Sequence, residues 1–232
     1  MNAASPSPLP SRHSADRRRY AGVFLIALAT LMLEVLLTRL TSVTAWYHLA
    51  FFVISLAMLG MTAGAVIVFV RPDSFADADV GKRIASSTLG FAIAIPIAVT
   101  VALSLPLEPV ADLMTFSALM LVGAVLAVPF VLGGIALTLA LTRSGLPTGI
   151  VYGVDLVGAA LGCALVVPVL RVIDAPSAAI LSAAVAALAA VCFASAEGLR
   201  TRPAWLTAAA LTKPLPMSSP TVTRERRSSE NM

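Results

Sequence analysis

Four ionisable residues stand inside or at the edge of long apolar runs, and their types and spacing decide what chemistry the chain could carry. Glu34 lies in Leu33-Glu34-Val35-Leu36-Leu37-Thr38-Arg39, and Asp155 in Tyr152-x-x-Asp155-x-x-Gly158-x3-Gly162. A charge at the centre of a bilayer costs on the order of 2.5–3.5 kcal/mol on insertion scales, so an intramembrane acid marks either a function or a packing device. As a functional group, each acid would be a proton or cation site. As a structural group, each would hydrogen-bond a neighbouring helix or cap a broken one. Thr30, Glu34, Thr38 and Thr41 recur at helical spacing and form a polar stripe able to serve Glu34. Asp155 shares its helix face with Gly158, Ala159 and Gly162, so it faces another helix instead of lipid. Glu34 falls roughly 20 Å along from Tyr20 and Asp155 roughly 10 Å into its span, at different depths, so they are not read as a pair. Arg39 can snorkel to the nearer interface. Trp46, Tyr47 and His48 form an aromatic belt there, with His48 read as a belt residue or a ligand.

Complete catalytic motifs are missing: the sequence has no Gly-x-Gly-x-x-Gly, phosphate loop, Cys-x-x-Cys or glycine-flanked serine nucleophile. Cys163 and Cys192 both sit in apolar runs with no His or acid at ligand spacing, and are expected to be free, buried thiols. Neither a metal nor a cofactor is expected.

The elements that must position these residues are membrane helices. Of 232 residues 59% are hydrophobic and 12% charged, where a soluble domain has about 45–50% and about 25%. The predicted fold class is all-α: a polytopic bundle of six spans at about 20–42, 48–70, 86–106, 113–141, 149–170 and 176–196, each close to the roughly 20 residues needed to cross. Pro96, Pro129 and Pro168 should bend the third, fourth and fifth. Three small-xxx-small pairs, Gly60/Gly64, Gly149/Gly153 and Gly158/Gly162, would let helices approach closely, within the bundle or between copies.

Residues 1–19 read as a disordered basic tail, 20–198 as the membrane domain, and 199–232 as a second disordered basic tail. The first apolar run is too long and too charged for a signal peptide and reads as a retained anchor. With the N-terminus inside, 14 of the 16 Lys and Arg fall on inner segments, and only Arg39 and Arg171 fall outside. The positive-inside rule then predicts a multi-pass protein of the cell inner membrane with both termini cytoplasmic. The same scatter of basic residues over loops, with no basic helical face, argues against nucleic acid despite a net charge of +4.

In their order, Glu34-x4-Arg39, the run Ala50–Gly60-x3-Gly64, Pro129-Phe130 and Tyr152-x-x-Asp155-x-x-Gly158-x3-Gly162 resemble the N-terminal membrane region of bacterial spermidine synthase-like membrane proteins. The resemblance covers about residues 20–198. It implies a multi-span bundle followed by a cytoplasmic aminopropyltransferase-like domain with a Rossmann-like fold. Thirty residues follow Arg202, and such a domain needs well over 100, so no catalytic or cofactor-binding residue of that family has a counterpart here. The expectation is a non-catalytic membrane module that anchors a cytoplasmic synthase-like partner, handles a small ligand, or forms a homo-oligomer. The rival is a transporter or channel subunit for small molecules or polyamine-like cations, with Glu34 and Asp155 as its sites.

Overall fold

Leu, Ala, Ile and Val fill the apolar runs, and in hydrocarbon a helix satisfies every backbone polar group internally. The computed structural model describes residues 11–44, 47–75, 80–104 and 113–198. They form α1 (Ser11–Thr44), α2 (Tyr47–Val70), α3 (Val80–Ser104), α4 (Leu113–Arg143), α5 (Thr148–Val169) and α6 (Ala175–Ala196). All six are long and apolar enough to cross a membrane, and no strand occurs among the described residues.

Two helices begin earlier than expected. α1 starts at Ser11, so residues 11–19 of the expected tail are helical. The helix continues because no proline lies within Ser11–Thr44 and because Arg18 and Arg19 find partners on other elements: Arg18 Nη1 donates to the Ser195 carbonyl at 3.1 Å and Arg19 Nη1 to the Ser144 carbonyl at 3.2 Å. α3 starts at Val80, inside the expected Pro72–Ala85 connector, after a 3-10 turn at Pro72–Phe75. Residues 1–10, Trp46 and residues 199–232, on which other expectations rested, lie outside the described residues.

The helix ends follow local chemistry. α4 stops before Gly145, whose φ of +70° places it in the left-handed region. α6 is capped by Asp174, whose carboxylate accepts from the Ser177 hydroxyl at 2.9 Å and the Ser177 amide at 3.4 Å, with Pro176 in the first turn. Hydrogen bonding from the Ser177 side chain holds the Asp174 carboxyl below the usual carboxylate range. Its capping contribution is therefore present above the ordinary carboxylate pKa and is lost as pH falls through the lowered folded-state value. Pro96, Pro129 and Pro168 all lie inside their helices.

α1 is the central element. Protein covers 61% of its most apolar window, against 22% for α5. It packs on α6, α5 and α2 and touches α4; α3 lies against α4 and α6, and α2 lies along α4. The core includes Ile26, Leu33 and Leu36 from α1, Phe91 and Ile95 from α3, and Leu126, Phe130 and Leu139 from α4. Lipid tails are as apolar as these side chains, so helix association rests on close packing more than on hydrophobic transfer. Two parallel pairs supply it. A Cβ on Gly60 would stand 2.7 Å from the Phe130 Cβ, and Gly134 of α4 meets the Met61 carbonyl on α2. On α5, Gly158 lies on the Phe24 carbonyl and Gly162 on the Leu28 backbone of α1. Nothing stands within 4 Å of a Cβ at Gly149 or Gly153, so that pair makes no close approach within the bundle. Both cysteines are free, but Cys163, expected to be buried, is exposed: it follows Gly162, about 100° round the helix from the α1 contact.

Candidate ligand cavity at the basic end

The N-terminal ends of α1 and α3 meet the C-terminal ends of α4 and α6, and the meeting point carries Arg19 and Arg143. Between the four helix ends lies a cavity of about 220 Å³. Its apolar wall is Val23, Ile84, Ala140 and Phe193, and its polar mouth is Arg19, Arg143, Ser144 and Glu197. The volume is below the roughly 300–1,000 Å³ of drug-sized sites, so the cavity suits a small molecule.

Each polar group is held by a separate element. Arg19 Nη2 donates to Glu197 Oε1 at 2.6 Å, joining α1 to the residue that caps α6. Both side chains are about a third exposed, so the pair is worth at most about 1 kcal/mol. Arg143 Nη1 donates to the Phe75 carbonyl at 2.7 Å, tying α4 to the turn after α2. Two glycines make room: the Phe193 ring lies over Gly22, 2.8 Å from where a Cβ would be, and the Glu197 side chain fills the space a Cβ on Gly81 would take. Two guanidinium groups and one carboxylate thus line the mouth. Arg19, Gly145 and Leu146 also border a second, more open hollow of about 590 Å³, lined further by His13, Asp16 and Arg17.

None of the residues singled out from the sequence lines this cavity. Glu34 and Asp155 are half-buried, on α1 and α5. α1 and α5 run parallel, with Gly162 seated on Leu28. Asp155 precedes Gly162 and Glu34 follows Leu28, which separates the two acids by roughly 20 Å along the axis. The threonine stripe does not serve Glu34. Thr30, Thr38 and Thr41 donate to the carbonyls of Ile26, Glu34 and Leu37, each one turn back on the same helix. Arg39 is exposed, and His48 lies in the first turn of α2, outside the residues whose side chains are described. No group of three His, Cys, Asp or Glu gathers among the described residues. No signal in the sequence marks the cavity residues: Glu197 is one of three acids that follow the last span.

No known family, curated protein or solved structure matches the chain.

Proposed function

We propose that the chain is a non-catalytic, multi-pass module of the inner membrane that holds a small organic anion at its basic end, which faces the cytoplasm. The cavity between Arg19, Arg143 and Glu197 carries this reading: an apolar wall for the body of a ligand, and the guanidinium groups of Arg19 and Arg143 at its mouth to meet a carboxylate. Orientation enters through the bias of basic residues toward that end. Kinship with the membrane region of spermidine synthase-like proteins enters through motif order alone, and a cytoplasmic synthase-like partner would meet the same end.

The rival reading, a polyamine-like cation site on Glu34 and Asp155, has less support. The two acids lie roughly 20 Å apart and border no part of this cavity. The two readings separate in a thermal-unfolding titration of the purified full chain at constant ionic strength. Benzoate should raise the midpoint with the logarithm of its concentration once that exceeds Kd, and Arg143→Gln should abolish the rise. Putrescine should leave it unchanged. A rise with putrescine that Asp155→Asn removes, with benzoate silent, would favour the rival.

A further inference from the structure

The two halves of the bundle share one packing register in opposite directions. Val53-x6-Gly60-x3-Gly64-x3-Val68 in α2 recurs at identical spacing in α5 as Val151-x6-Gly158-x3-Gly162-x3-Val166, and all eight residues are buried. Each motif packs on the long helix of the other half, Gly60 on Ala127 and Phe130 of α4, Gly158 on Phe24 and Ala27 of α1. Those contacts align Phe24 with Ala127. At that register buried residues coincide along both helices, as in Val23 with Leu126, Thr30 with Gly133, and Leu37 with Ala140. The third helices agree as well. Thr88 of α3 and Ser182 of α6 are both fully buried hydroxyls bonded to their own helix. Around the cavity, α1 runs opposite to α4 and α3 opposite to α6. A two-fold axis in the membrane plane relates such halves, the arrangement of an inverted-topology repeat.

We propose that α1–α3 and α4–α6 are inverted repeats, and that α1, α3, α4 and α6 enclose a passage gated at both ends for the small organic anion of the preceding reading, on which this inference rests. The two-fold carries the cavity wall Val23, Ile84, Ala140 and Phe193 onto Leu126, Ala178, Leu37 and Val99 at the opposite end. Those four are packed in the core, none more than 5% exposed. The structure is thus the state open at the basic end. Rocking one half against the other closes the Arg19–Glu197 mouth and opens the counterpart, and Thr30 against Gly133 and Phe91 lies between the two ends.

Locking the mouth tests this. A Cβ at position 81 would overlap the Glu197 side chain, so Gly81→Cys with Glu197→Cys is within disulfide reach. In a chain also carrying Cys163→Ser and Cys192→Ser, one reporter is added, Leu37→Cys or Val99→Cys, and the protein is reconstituted in nanodiscs. The 81–197 contact belongs to the described state, in which both reporters are buried, so the passage predicts that oxidising the pair traps that state and lowers the reporter's rate of labelling by an impermeant maleimide by at least about tenfold, the scale expected when a minor state is no longer reached. Reduction should restore the labelling. If either reporter impairs folding, hydrogen exchange on the locked chain without reporters decides the same question, through slower exchange of amides around Leu37 and Ala178. Full cross-linking with unchanged labelling and unchanged exchange would overturn the passage. Both readouts respond to accessibility and not to affinity, so a failure here is distinguishable from a failure of the benzoate titration.

Discussion

Gly162→Leu is expected to abolish the folded bundle, whereas Gly149→Leu, on the same helix, is expected to leave it intact. A side chain at 162 would enter the backbone of Leu28 on α1, and backbone cannot swing aside as a flexible side chain can. Overpacking of a core costs about 1–3 kcal/mol. Here α1 and α5 must separate instead, and the cost should exceed that range. At 149 nothing stands within 4 Å of a new Cβ. Fluorescence-detected size exclusion of the detergent-solubilised variants reads the contrast. A monodisperse Gly162→Leu with wild-type thermal stability would show that α5 does not pack on α1 as described. Gly64→Leu, against Val131 and Gly134 of α4, should fail in the same way.

Phe91→Ala should bring the second largest loss, about 3–5 kcal/mol, the cost of a cavity left by a large aromatic side chain. Phe91 is fully buried and lies against Gly133 near Thr30, where three of the four inner helices meet. Phe51→Ala supplies the contrast, because Phe51 is 70% exposed on the lipid side of α2. Truncation there opens no cavity and, like most surface changes, should stay within about 0.5 kcal/mol. Equilibrium unfolding in mixed micelles gives both values. Equal losses for the two would contradict the placement of Phe91 at the centre.

The spans are legible in the sequence because twenty apolar residues in a row have few alternatives to a membrane helix. Their ends are less so. Arg18 and Arg19 look like tail residues until Ser195, Ser144 and Glu197, more than a hundred residues later, appear as their partners. The glycine pairs are visible, but spacing alone cannot say which pair has a helix opposite it, and Gly149/Gly153 has none. Intramembrane charge draws attention to Glu34 and Asp155, while the cavity is assembled from residues at the ends of four spans. None of those residues is unusual where it stands. Arg143 after an apolar run reads as a topology signal, and only the fold brings it round to Arg19 and Glu197. The repeat is hidden for a related reason. The halves preserve positions of burial more than residue identities, as in Thr30 with Gly133, and outside the α2 and α5 motif matching letters are scattered, as in Leu36 with Leu139.

The proposed binding site and passage both require six crossings with the cavity end in the cytoplasm, and side-specific labelling tests that topology most directly. Thr148→Cys stands exposed at the basic end, at the start of α5, and Val172→Cys stands 84% exposed at the other end of that helix. In a chain carrying Cys163→Ser and Cys192→Ser, an impermeant maleimide added to intact spheroplasts should label Val172→Cys at once. It should reach Thr148→Cys only after permeabilisation. Labelling of Thr148→Cys from outside, or of both positions from one side, would contradict this topology.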